Sequence, residues 1–239
     1  MNQKNENLIK RGFFENKDLE EYSKLNEEEL INLSKNSTAQ KRAIAVNLLN
    51  NFNNSNKYSP YFLEILSHEK KLYVRLEIAK SLEKGNIETA KLMIPYLDKI
   101  PNKQYKSLPK KVSKKKTYLI PRDLIARILS KMDIAIFPLI LELLCSNNLE
   151  IISESLDIFG YMVFHNQKLE TGSNFKYLTY LFDKYKNNDL ILWKITMCLS
   201  SFRNNDSISF LKKIKNFTNN EIINLEADRS IFLIKEKLL

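Results

Sequence analysis

Glycine is nearly missing from this chain: 4 residues in 239, alongside 6 prolines, 2 cysteines and 1 tryptophan. β-Sandwiches and dinucleotide-binding folds need glycine at turns and phosphate loops, so its scarcity excludes them and leaves helices joined by short polar turns. No glycine-rich phosphate loop of either common type occurs, which removes P-loop and Rossmann nucleotide sites. The two cysteines, Cys145 and Cys198, sit inside apolar helical patterns. They exclude a disulfide framework and predict small buried hydrophobes in a reducing compartment. The two histidines, His68 and His165, have no second His or Cys at ligand spacing, so no metal site is expected. The longest apolar run, Ile134 to Cys145, is interrupted by Pro138 and Glu142 and is too short to span a bilayer. The opening stretch MNQKNENLIKRGFFENKDLEE lacks the apolar core of a signal peptide. The expectation is a cytoplasmic protein with no transmembrane segment, metal or cofactor.

What is present is core material and asparagine. Hydrophobic residues make up 44% of the chain, enough for a large core. Asparagines cluster between apolar stretches, at Asn50–Asn51, Asn147–Asn148, Asn187–Asn188, Asn204–Asn205 and Asn219–Asn220. Asparagine tolerates the left-handed conformation, so these residues are expected to end helices where glycine would otherwise serve.

The apolar pattern repeats. Taking Leu82 in YVRLEIAKSLEKG as a landmark, equivalent positions fall at Leu49, Leu129, Met162, Leu199 and Leu233, at steps of 33, 47, 33, 37 and 34. Four steps cluster near one period and the fifth carries about 14 extra residues, which is the signature of a repeat with a single insertion. Four residues before the landmark stand Ala45, Ile78, Ile125, Ile158 and Ile195, and seven before it stand Arg42, Arg75 and Arg122. Both offsets are helical, so an apolar and a basic residue lie on adjacent faces of one helix. A preceding helix reads SPYFLEIL, MIPYLDKI and FPLILELL, with Pro60, Pro95 and Pro138 at matching places suited to a first helical turn.

A first helix of this proline-leading type, a short turn, then V-R-x-x-x-A-x-x-L resembles the HEAT repeat and the similar phycobilin-lyase-type HEAT-like repeat. Val74, Arg75, Ala79 and Leu82 carry the best copy, and Arg122, Ala126 and Leu129 the next. The resemblance implies an all-α, right-handed α-α superhelix, a HEAT-like solenoid of about six helix pairs. The pairs read 26–34 with 38–53, 58–68 with 72–84, 87–98 with 121–132, 134–146 with 149–164, 174–186 with 189–203, and 206–217 with 221–238. Residues 1–25 form an N-terminal cap and 26–239 the array, with a basic insertion at 99–120. Each pair buries its apolar face only against its neighbours.

The insertion is where the charge is. From Lys99 to Arg122 there are nine positive residues and no acid, while the whole chain carries +10, so the remainder is close to neutral. Lys103, Lys106, Lys110, Lys111, Lys114, Lys115 and Lys116 therefore form a local positive field, with Tyr105 and Tyr118 interleaved. Such a loop suits an acidic protein surface or anionic lipid, or, through phosphate neutralisation and stacking, nucleic acid. It also suits a solvated loop that binds nothing. Arg42, Arg75 and Arg122 read as structural partners for acids or carbonyls of the adjacent turn, or as a row of contacts to a partner. Trp193 reads as a core or rim aromatic, and Glu27, Glu28 and Glu29 as an acidic run opening a helix.

No acid–base constellation rises above background. The leading expectation is a non-enzymatic HEAT-like scaffold that binds a protein partner. The alternative is a nucleic-acid-binding HEAT-like protein, distantly similar to the alkylpurine DNA glycosylases, which hold DNA in a basic concavity and carry a W-D motif. Here Trp193 is followed by Lys194, so base excision is not expected. A tetrapyrrole lyase rests on repeat analogy alone.

Overall fold

A computed structural model describes residues 3–52, 55–100 and 104–238, and within them helices joined by turns, with no strand. The chain packs as two compact units, Met1–Pro95 and Tyr96–Leu239. The division falls inside the third expected pair, just before the insertion.

The first unit contains α1 (Gln3–Ile9), α2 (Asn16–Glu20), α3 (Glu27–Leu33), α4 (Ala39–Leu49), α5 (Ser59–His68), α6 (Leu72–Glu83) and α7 (Ile87–Met93). Helices α3 and α5 each pack on the helix that follows, and α4 packs side by side with α6. The acidic run opens α3 as expected: Asn26 accepts from the Glu29 N–H, and the Glu29 carboxylate accepts from the Asn26 N–H. That reciprocal cap satisfies two amides that the helix cannot. Pro60 lies in the first turn of α5. Pro95 does not match it: α7 has already ended at Met93, and Pro95 sits in a 3₁₀ turn, Ile94–Tyr96.

The second unit contains α8 (Leu124–Leu129), α9 (Phe137–Leu144), α10 (Leu149–His165), α11 (Gly172–Tyr185), α12 (Asp189–Leu199), α13 (Asn205–Phe217) and α14 (Glu221–Leu238). The first helices α9, α11 and α13 each pack on the second helix of their pair, while α8, α10, α12 and α14 pack in succession as one layer. A next-neighbour layer of this kind is the helical-repeat arrangement that the landmark spacing requires. The landmark residues Leu49, Leu82, Leu129, Met162, Leu199 and Leu233 are all buried, as are Ala45, Ile78, Ile125, Ile158 and Ile195. Leu82→Ala should lower stability by about 3 kcal/mol in urea denaturation, because the removed methyl groups leave a cavity that fixed neighbours cannot fill. A loss under about 0.5 kcal/mol would mean the landmark does not mark the core.

The asparagines act at the other end of the helices from the one expected. Asn148, Asn188 and Asn204 open α10, α12 and α13, each accepting from a first-turn amide with its side-chain oxygen, and Asn220 does the same for Ile222 and Ile223 at the start of α14. Asn50 closes α4 with ordinary right-handed backbone. Among the described residues the only non-glycine with positive φ is Asp98. The short amide competes for backbone donors, which favours it before a helix rather than after one.

Candidate functional site

The basic insertion is docked, not free. Asp98 turns the chain into it with a left-handed φ of 63°, and its amide donates to Asp123 Oδ2 at 3.1 Å. Gln104, buried, donates to the same oxygen at 2.6 Å, while Asp123 Oδ1 caps α8 through the Ala126 N–H at 2.7 Å. Tyr105 meets the edge of Trp193 with ring centroids 4.9 Å apart, and the Arg122 guanidinium lies 4.2 Å above the Tyr105 ring. Tyr118 is only 2% exposed, its hydroxyl 3.3 Å from Cys198 Sγ and its ring against Phe164. From α14, Arg229 donates to the carbonyls of Lys115 and Thr117 while its other arm pairs with Glu226 at 2.7 Å.

This overturns one expectation. Tyr118 is buried and closed to bases, and Tyr105, half-buried, already spends its ring on Trp193 and Arg122. A buried phenol gains more from apolar packing and a polar partner than from solvent, and both are offered by the second-helix layer.

The lysines keep outward. Lys106 pairs with Asp98. Lys116 lies 4.0 Å from Glu236 and 5.3 Å above the Phe232 ring. Lys110, Lys111, Lys114 and Lys115 are exposed and have no acidic partner among the described residues. Lys103 lies outside the described residues. The three arginines stand in differing local settings. Arg42 holds Glu69 with two hydrogen bonds, at 2.8 and 3.1 Å, and reaches the carbonyls of Asn36 and Ser37. Burial pulls the Glu69 carboxyl upward, but Arg42 and the Lys71 and Lys70 amides outweigh it and hold it below the usual range. Arg75 is half-buried at the equivalent place on α6. Arg122 precedes α8 by two residues instead of standing on it. Of the cysteines, Cys198 is buried as expected, but Cys145 is exposed, because α9 ends at Leu144 and leaves it in the following turn.

Beneath the insertion lies a buried ionic cluster that the sequence reading missed. Lys194 on α12 is 0% exposed and donates to Glu154 at 3.0 Å, Asp157 at 3.0 Å and the Ser153 carbonyl at 2.9 Å. Burial works to lower the ammonium pKa, and the carboxylates of Asp157 and Glu154 more than offset it. Burial raises both carboxyls against the pull of Lys194, and one ammonium cannot neutralise two anions. Glu226 is likewise raised by burial despite Arg229 and the nearby Trp193 indole, whose N–H stops short of hydrogen-bond geometry. Burial pushes the Cys198 thiol up to about 12, so it is a packed donor, to the Leu156 carbonyl at 3.1 Å, and not a nucleophile. The signal was present: counted from the landmark, Asp157 and Lys194 occupy the same repeat position in neighbouring units, with opposite charge.

Burial also lifts Asp123 to about 6, against hydrogen bonds from Ala126, Gln104 and Asp98. Its unfolded value is near 4, so its contribution to stability is fully present below about pH 4 and is lost as pH rises through about 6. Urea titrations of the protein and of Asp123→Asn should show the difference between them shrinking over that window, by up to about 3 kcal/mol. A difference that stays constant from pH 4 to 7 would refute it.

No protein-family model matches the chain, and no curated protein does. Among solved structures it is similar to an engineered protein at 15% identity and a TM-score of 0.42, over 89% of this chain and 98% of that one. It is similar to a designed armadillo repeat protein at 13% identity and a TM-score of 0.41, over 87% and 100%. A designed armadillo repeat protein in complex with the peptide (KR)4 is similar at 14% identity and a TM-score of 0.33, over 96% and 90%. Likenesses this distant carry no argument about what the chain binds. Among the described residues no helix is long and apolar enough to cross a membrane.

Proposed function

We propose that this chain is a non-enzymatic, HEAT-like interaction module of the cytoplasm that presents a fixed ridge of lysines to an acidic protein partner. One observation carries the reading: Lys110, Lys111, Lys114 and Lys115 project, without acidic partners among the described residues, from a segment whose two ends are pinned by Gln104 and Tyr118. A pinned segment loses little conformational freedom on binding, so its charges cost less to engage than those of a free tether. Two unpaired thiols support a reducing compartment. Against nucleic acid stands the commitment of both insertion tyrosines to internal packing.

The test converts Lys110, Lys111, Lys114, Lys115 and Lys116 to Gln. At about 0.3 kcal/mol per exposed pair, five lost charges weaken binding of a glutamate-rich peptide roughly tenfold, with a shallower dependence on salt. Melting should hardly move, since none of the five ammonium groups is buried. Unchanged peptide affinity would refute the reading, and tight binding of an oligonucleotide with none of the peptide would assign the ridge to nucleic acid.

A further inference from the structure

Beside the lysine ridge runs a half-exposed apolar helix face. On α14, Leu225 and Phe232 are 47% and 42% exposed. They are seven residues apart, so they stand two turns along one side of the helix. Arg229, between them, ties that side to the insertion through the Lys115 and Thr117 carbonyls, and the Lys116 ammonium lies over Phe232. Apolar stripe and lysine ridge are therefore parts of one surface, held in register by Arg229.

We infer that this surface docks an amphipathic helix with an acidic flank, an inference that rests on the lysine-ridge reading and names its partner class. Apolar anchors at i and i+7 are the spacing that a helix lying along α14 would match, and its acidic flank would meet Lys114, Lys115 and Lys116. A flat anionic membrane fits worse, because it would meet Glu221, Asp228 and Glu236 of the same exposed face together with the lysines, whereas a helix can turn its acids to the lysine side alone. A second copy of the chain fits worse too, since it would bring another unneutralised lysine ridge to the contact.

The experiment uses the full chain and two labelled synthetic peptides of one composition, leucine and glutamate, each about as long as α14. One has its leucines on a single helical face and the other is scrambled. Fluorescence anisotropy should show the amphipathic peptide binding at least roughly tenfold more tightly. Leu225→Ser with Phe232→Ser should abolish that advantage and leave the scrambled peptide's weaker binding untouched, while the five Lys→Gln changes weaken both. Phe232→Ala alone, at an exposed position, serves if the double variant folds poorly. Equal binding of the two peptides, lost only with the lysines, overturns the helix-docking inference and leaves the ridge reading standing. No binding of either peptide, or a concentration-dependent dimer abolished by Leu225→Ser with Phe232→Ser, overturns it as well. So does capture by anionic vesicles in place of the peptides.

Discussion

Lys194→Met should cost about 3–5 kcal/mol at pH 7, as expected for removing one partner of a buried ion pair. The size follows from what remains. Glu154 and Asp157 stay buried, at 1% and 5% exposure, with no cation to offset their lost hydration. Each already has a carboxylate oxygen without a hydrogen-bond partner, so neither can recover by pairing elsewhere. The loss should depend on pH in a set direction. Burial already raises both carboxyls, and losing Lys194 raises them further. A carboxyl whose folded pKa lies above its unfolded value favours folding at low pH and loses that contribution as pH rises through the folded value. The variant should thus regain stability on acidification from pH 7 towards 5, more steeply than the unaltered protein. Adding Glu154→Gln and Asp157→Asn should restore a large part of the loss, since the uncompensated charges are gone. Urea unfolding followed by circular dichroism reads all three. A loss under about 1 kcal/mol, or one independent of pH, would mean the cluster is hydrated.

The same cluster marks where the sequence was legible. Periodicity located the six landmark residues and five of the helix pairs, α3–α4, α5–α6, α9–α10, α11–α12 and α13–α14, because burial at helical spacing repeats along the chain. Deviations from the pattern hold the site. Where five units place an apolar residue four before the landmark, the sixth places Arg229, the residue that grips the insertion. Asp157 and Lys194 share the position before it, which is also charged in two other units as Glu77 and Asp228, and stacked repeats bring equal positions side by side. Periodicity averages over such breaks, so it returns the fold and passes over the side chains that depart from it. The docking of the insertion was beyond it for another reason. Gln104, Tyr105 and Tyr118 lie in irregular backbone, where no period says which side faces the protein.

Tyr118→Ala should cost about 3–5 kcal/mol, the usual range for emptying a buried aromatic site, although it lies in a lysine-rich segment that composition alone would place in solvent. The ring fills a slot made by Gly160. A methyl group at that glycine would stand 1.9 Å from the Tyr118 hydroxyl oxygen and 2.3 Å from the ring carbon bearing it. In most helix interiors Gly→Ala gains up to about 1 kcal/mol. Gly160→Ala should instead lose about 1–3 kcal/mol, because the ring must leave its slot or α10 must shift. The two changes should not add. With Tyr118 already alanine the new methyl meets no ring and fills part of the vacated space, so the double variant should be no less stable than Tyr118→Ala alone. A favourable coupling of at least about 1 kcal/mol in the double-mutant cycle is the expected sign of direct contact. Tyr118→Ala should also expose the insertion to trypsin at its lysines, while cleavage elsewhere in the chain stays slow. Additive losses, or an insertion cut equally fast before and after the change, would show that Tyr118 does not anchor it. The lysine ridge would then be mobile, and the reason for reading it as a preformed docking surface would be gone.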